Sequence, residues 1–189
     1  MNSFEAIEGR RSIRKFTREQ VDIGILKKII KNGSLAASGS NMQPIKYIIA
    51  TGEKADLIFP LTRWAGYLKG KGNPSFEERP AAFILVLNDN DIRKKGFELD
   101  AGAAVQNMLL AAHSMGLGTC WLGAIDYEKI SELAGVGERY KLISAIAVGY
   151  PAYKSISEVS KGDIKYYLDE EEVLHVPKRG LDEIILNIY

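Results

Sequence analysis

The sequence predicts a sheet covered by helices. Two observations carry this: four apolar, β-rich runs at 45–51, 82–87, 119–125 and 142–148, and helix-period segments placed between them. Hydrophobic residues make up 46% and charged residues 26% of the chain, which suits a packed core and argues against disorder. At 189 residues the chain fits one domain spanning 1–189.

Taken in order, residues 3–9 predict a short helix with Phe4 and Ile7 inward, ending at Gly9. Thr17 and Gln20 have capping-box spacing, and Val21, Ile25, Leu26, Ile29 and Ile30 recur at three and four, so a second helix is expected from Glu19 to about Ala37. A polar loop, 38–44, leads into the first strand, and 53–59 predicts a short helix. Residues 60–80 are irregular, with Trp64, Tyr67, Lys69, Lys71 and Glu77 where a lid over substrate is expected. After the strand at 82–87 and a turn at 88–91, residues 100–115 form an unusually small and apolar helix, suited to the centre of a monomer or to the core of a dimer. Asp126 is placed to cap a helix at 127–134. Val173, Leu174 and Val176 are expected to pair with a sheet, and Leu181, Ile184, Ile185 and Ile188 fall on one face of a last helix.

Several function classes drop out. A net charge of +1 gives no basic face for nucleic acid. No apolar run reaches the roughly 18 residues of a membrane span, and the first residues lack signal-peptide character. These features lead to a cytoplasmic expectation. With one cysteine, Cys120, there is no internal disulfide or cysteine cluster, and its apolar context predicts an inert thiol. The two histidines, His113 and His175, have no metal-ligand spacing, and His113 is expected to face a helix dipole. Gly116-Leu117-Gly118-Thr119-Cys120-Trp121 has Trp in place of the third fingerprint glycine, and Gly66–Gly72 lacks a P-loop's spacer.

What remains is Arg10-Arg11-Ser12-Ile13-Arg14-Lys15-Phe16, with four cations in seven residues and two apolar anchors. It is either a solvated charge run or a site for a bound dianion, since arginines and a hydroxyl recognise phosphate. Asn41 and Gln43 offer paired donors and acceptors of the kind that read a heteroaromatic ring. Gly123 lets a backbone N–H approach a ring atom, and Lys178 or Arg179 is placed to return to the phosphate. Together these describe a flavin mononucleotide site, with the reactive atoms supplied by the cofactor.

Three blocks, Arg10-Arg11-Ser12-Ile13-Arg14, then Ala37-Ser38-Gly39-Ser40-Asn41-Met42-Gln43-Pro44, then Asp100–Asn107 before Gly118-Thr119-Cys120-Trp121-Leu122-Gly123, resemble the FMN-dependent nitroreductase family in order and over nearly the whole chain. The resemblance implies an α+β sandwich with a central mixed, mainly antiparallel sheet flanked by helices, and an obligate homodimer with FMN at the interface. It implies that Arg10, Ser12 and Arg14, with Arg11 beside them, hold the phosphate and ribityl end. Ser38, Gly39, Asn41 and Gln43 would face flavin, some from the partner subunit, while Leu122 and Gly123 present backbone to its reactive edge. Ile45 stands where the family often has an aromatic residue, and Lys178 and Arg179 are adjacent where the family usually has a spacer. The implied activity is a ping-pong transfer of hydride from NADH or NADPH to flat small-molecule acceptors such as nitroaromatics or quinones. Its rivals are another flavin reaction, such as reductive dehalogenation or flavin breakdown, and a flavin-binding module without turnover.

Overall fold

A computed structural model describes residues 1–68 and 70–189; Lys69, one of the expected lid residues, lies outside the described residues. In chain order the elements are α1 (Ser3–Gly9), α2 (Ile23–Ser34), β1 (Ile45–Thr51), α3 (Glu53–Ile58), β2 (Ala82–Asp89), α4 (Phe97–Ser114), β3 (Gly118–Leu122), α5 (Tyr127–Ala134), β4 (Tyr140–Gly149), β5 (Ser155–Val159), β6 (Tyr167–Leu168), β7 (Leu174–Lys178) and α6 (Leu181–Ile184). Strands β1, β2, β4 and β3 form one sheet in that spatial order, every pairing antiparallel. The parallel pair in the fold is β5 with β7, in a separate three-stranded sheet completed by β6.

The continuous apolar run of β2 follows from its central position, with both faces covered. Ile84 and Val86 face Leu26 and Ile29 of α2 and Val105 and Met108 of α4. Phe83, Leu85 and Leu87 face Phe16, Ile58 of α3 and Ile130 of α5. Helices α2 and α4 approach closely because Gly33 has no side chain; a Cβ there would lie 2.6 Å from Met108 Cγ. Ala101, Ala104 and Ala112 of α4 pack inside the chain, while Gly102, Ala103 and Ala111 remain partly exposed and Leu99 is 80% exposed.

Several sequence expectations are corrected. Phe4 and Ile7 of α1 are exposed, because only Ala6 of that helix is buried. Helix α2 begins four residues late, capped by Asp22, whose carboxylate accepts from the Gly24 and Ile25 amides, and not by Thr17. Asn88 and Asp89 are buried residues of β2 and not a turn, with Asp89 held by both Nε and Nη2 of Arg139. The last helix is one turn, four residues long, and its apolar side chains lie exposed. A turn that short, packed on nothing, does not propagate. The lid segment is a series of 3₁₀ turns, with Phe59 packed against Trp64 and Phe76 and Glu77 paired with Arg18. No helix among the described residues is long and apolar enough to cross a membrane.

The small sheet is tied together through one histidine. His175 on β7 meets Glu158 of β5 at 2.9 Å through Nδ1 and Asp169, just past β6, at 3.0 Å through Nε2. Tyr167 stacks on its ring at 4.8 Å and donates to Glu158. The bonds to Glu158 and Asp169 raise the imidazole above its ordinary 6.5, and the imidazolium lowers both carboxylates. A raised histidine stabilises below its unfolded pKa and loses that contribution as pH rises through its folded value; lowered carboxylates lose theirs as pH falls. The clasp is therefore strongest in mildly acidic solution. We expect the β5 and β7 amides, corrected for intrinsic rates, to exchange faster once pH passes the raised His175 value. His175→Gln should abolish that pH dependence; unchanged protection in both proteins would show the clasp to be silent.

Candidate functional site

The basic segment leaves α1 at Arg10, whose N–H still bonds the Ala6 carbonyl at 3.0 Å while its own backbone is extended. It then runs along the end of the main sheet. Ser12 pairs with Thr119 in a parallel bridge and Phe16 with Pro151 in an antiparallel one. Ile13 N–H donates to the Thr119 carbonyl at 2.8 Å, and Thr17 N–H to that of Tyr150 at 2.9 Å. Ile13 and Phe16 are the buried members of the segment. Their seats are two glycines that face each other across β3 and β4, Gly118 and Gly149. A Cβ on Gly118 would come within 2.8 Å of Ile13 Cβ, and one on Gly149 within 2.9 Å of Phe16 Cδ1.

Anchored this way, the arginines are half-buried rather than free in solvent. Burial works against the charge of Arg10, and burial followed by the neighbouring Arg10 works against that of Arg11. Lys15 has a carboxylate partner, Glu78 at 3.1 Å. Among the described residues Arg10, Arg11 and Arg14 have none. Arg11 donates instead to the Glu8 carbonyl at 2.6 Å and to Ser157 Oγ. Arg14 lies 4.5 Å over the Tyr166 ring, its backbone N–H bonded to Tyr153 Oη at 3.0 Å. Its Nη1 and the Nε of Arg11 are buried without a partner among the described residues. The cavity beside Arg14 measures about 430 Å³ and is also lined by Lys15, Lys71 and Tyr153, with the carboxylates Glu78 and Glu172 on its wall. Unpaired buried cations are costly, so the arrangement calls for an anion.

Burial pushes the Cys120 thiol up, as expected of a core cysteine. Burial, then Arg10 and Arg11, pushes His113 below its ordinary value; it stands in the last turn of α4 with its Nε2 against Gly9.

The loop 38–43 is wound tightly. Ser40, Asn41 and Gln43 all have positive φ, at 51°, 53° and 50°, and non-glycine residues there carry roughly 1–2 kcal/mol of strain each. The Gln43 amide donates to Ser38 Oγ at 3.0 Å, and Gln43 Nε2 donates to Asn41 Oδ1 at the same distance. That bond uses the donor of Gln43 and the acceptor of Asn41, so the pair still offers an amide donor and a carbonyl acceptor. Gly39 presents no free amide: its N–H donates to Asp100 Oδ1 at 2.9 Å.

Leu122 is buried at the end of β3, and Gly123 follows it with open space where a side chain would be. The Gly123 carbonyl accepts from Tyr127 Oη at 2.8 Å, which fixes the peptide. Lys178 ends β7, exposed, beside the β5 strand whose Ser157 holds Arg11. Arg179 is engaged with Glu183 at 2.7 Å.

The pieces are not all brought together in one chain. Asp100, near the start of α4, holds the loop 38–43, whereas His113, in its last turn, lies against Gly9 beside the arginines. Thirteen residues of helix separate the two contacts, about 20 Å along the axis. Gly123 and Ser12 share β3 as a common edge. Tyr153, Tyr166, Arg93 and Asp100 escaped sequence reasoning as site residues. The partners of Tyr153, Tyr166 and Asp100 at the site are distant in sequence, and only the Asp100 block, read as helix, carried any signal.

Fold and site together define an α+β protein whose helices cover an antiparallel sheet, with a half-buried arginine cluster at the end of that sheet. The sequence model of the Nitroreductase family matches residues 7–150, and the chain belongs to that family. A protein of Archaeoglobus fulgidus, provisionally named NADH dehydrogenase/NAD(P)H nitroreductase, is 30% identical over 149 residues, covering 75% of this chain and 81% of its own. The NADPH-flavin oxidoreductase of Vibrio harveyi is 30% identical over 79% of this chain and 66% of its own. A provisionally named nitroreductase of Desulfovibrio desulfuricans, solved in complex with FMN, superposes with a TM-score of 0.74 at 29% identity, over 100% of this chain and 98% of that one.

The glycine seat makes a direct prediction. Gly118→Ala should push Ile13 outward and destabilise the fold by about 1–3 kcal/mol, the usual cost of overpacking. Thermal unfolding checks it, and phosphate should raise the variant's Tm less than the wild type's.

Proposed function

We propose that this protein is an FMN-dependent oxidoreductase that takes electrons from NADH or NADPH and delivers them to flat acceptors such as nitroaromatics or quinones. The observation that carries the reading is the Arg10–Arg11–Arg14 cluster, half-buried, with two buried nitrogens unpartnered and without a carboxylate among the described residues. A phosphate dianion meets that demand, and the Ser12 hydroxyl adds a donor. The relatives named for NADPH and flavin chemistry and the FMN complex of a structural neighbour support the same choice.

In this reading Arg10, Ser12 and Arg14 hold the phosphate, with Arg11 beside them as a positive neighbour fixed by Ser157. Lys178, which has no carboxylate partner among the described residues while Arg179 is paired with Glu183, is the better placed of the two tail cations. FMN, when bound, supplies the hydride-accepting and electron-donating chemistry. The chain's own residues orient and polarise. Asn41 and Gln43 offer hydrogen bonds to a ring edge, Leu122 and Gly123 offer backbone without a side chain in the way, and the cations favour negative charge. No side chain acts as acid or base, because the acceptor takes protons from solvent.

The 20 Å between loop and arginines along α4 leads to a second copy of the chain: the loop of one protomer completes the site of the other. The accessible surface of the chain, 11262 Å², supports this, since a compact monomer of 20.9 kDa exposes about 9,000 Å². Phe4, Ile7, Leu35 and Met42, with Leu181, Ile184, Ile185, Leu186, Ile188 and Tyr189, are exposed apolar side chains a homodimer would cover. The chain would act as one FMN-binding domain over 1–189.

The purified holoprotein should be yellow and dimeric, and anaerobic NADH or NADPH should bleach it; a yellow protein that neither bleaches would bind flavin without turnover, contrary to this proposal. Arg14→Ala should weaken FMN by 1.5–3 kcal/mol, about 10- to 100-fold, and riboflavin far less. Equal losses for both ligands would mean that the cluster does not bind phosphate.

A further inference from the structure

The loop 38–43 is held from outside by a buried ion pair. Asp100 has a carboxylate 7% exposed, with Oδ1 accepting the Gly39 N–H at 2.9 Å and Oδ2 paired with Arg93 Nη1 at 2.8 Å. Arg93 fills the space that a side chain at Gly39 would need, and a Cβ at Gly96 would lie 3.0 Å from its Nη2. The guanidinium is itself fixed, with Nε donating to the Lys95 carbonyl at 2.9 Å. Its backbone is fixed too: Arg93 N–H bonds the Asp89 carbonyl at 3.0 Å, and Asn88 Nδ2 bonds the Arg93 carbonyl at 2.7 Å. The far end of the loop has a matching pin, Asp89 N–H to the Pro44 carbonyl at 2.9 Å. Between these pins lie Ser40, Asn41 and Gln43 in the left-handed region. A left-handed run of non-glycine residues persists only where the surroundings impose it.

We propose that Arg93 and Asp100 are positioning residues, which hold the loop 38–43 in the conformation that presents Asn41 and Gln43 to the flavin ring. The role rests on the FMN reading above. It is distinct from phosphate binding, because Asp100 and the arginine cluster lie at opposite ends of α4. Losing the ion pair should therefore weaken ring recognition without touching phosphate recognition.

The test compares wild type, Asp100→Asn and Arg93→Lys for FMN and riboflavin affinity, the visible spectrum of bound FMN and its midpoint potential. Asp100→Asn removes the charge that retains Arg93, and Arg93→Lys keeps a cation but withdraws the planar group lodged against Gly39. Each should raise the Kd for FMN and for riboflavin by the same factor, about tenfold, and move spectrum and potential toward those of free FMN. General loss of stability would lower Tm without shifting spectrum or potential in the fraction that still binds. Wild-type affinity, spectrum and potential in both variants would overturn the inference while FMN binding stands. A loss larger for FMN than for riboflavin would overturn it as well, by placing the effect at the phosphate. A wild-type protein that takes up neither flavin would remove the FMN reading and this role with it.

Discussion

Everything at the candidate site depends on how a segment dense in positive charge is kept against the protein at all. Arg10 through Phe16 repels itself, and three of its cations have no carboxylate among the described residues. What holds it is apolar: Ile13 and Phe16 press onto the bare backbone of Gly118 and Gly149, paired across β3 and β4. Burying two such side chains supplies about 3–6 kcal/mol, and backbone bonds to Thr119 and Tyr150 set the register. With the anchors seated, the arginines between them are carried into partial burial whether or not a counter-charge is present. The arginine cluster is placed by packing, and its unpartnered nitrogens are the consequence.

The contrast with other buried charge in the molecule shows what is special here. Asp89 is fully buried and answered by both Nε and Nη2 of Arg139. Asp100 is nearly buried and answered by Arg93. Lys15, inside the same basic segment, has Glu78. Among the described residues, the buried charged side-chain atoms without a partner are those of Arg11 and Arg14, at one place. An unsatisfied group is expensive in a fold, which is why the proposed phosphate is assigned to this place.

Much of this was legible in the sequence. The four strands of the main sheet stood out because both faces of β2 and much of β4 are buried, which writes an apolar run. The amphipathic helices at 23–34 and 127–134 were legible from their spacing, and Asp126 caps the second as its type and position suggested. Boundaries were less so. Thr17 carried a capping pattern, but its segment stays extended through bonds to Tyr150, so the cap passed to Asp22. Phe4, Ile7 and the 181–188 stripe looked like core because apolar periodicity records a buried face without naming what buries it. Within one chain nothing does, and that is itself a property of the surface.

The sequence by itself did not determine β5 and β6, but it did determine the four strands of the main sheet and most of the helices, the basic cluster with its two apolar anchors, the polar loop and the family resemblance. These are local, written in residue type and spacing over stretches of a few turns. Only the tertiary structure decided that the loop and the arginines sit at opposite ends of α4, that Lys15 is already neutralised while Arg14 is not, and that Arg93 and Asp100 stand behind the loop. Each of those facts rests on residues far apart along the chain and on a distance of a few ångströms, or of some 20 Å. Spacing along a sequence carries no record of such distances, because they are set by how helices and sheet pack.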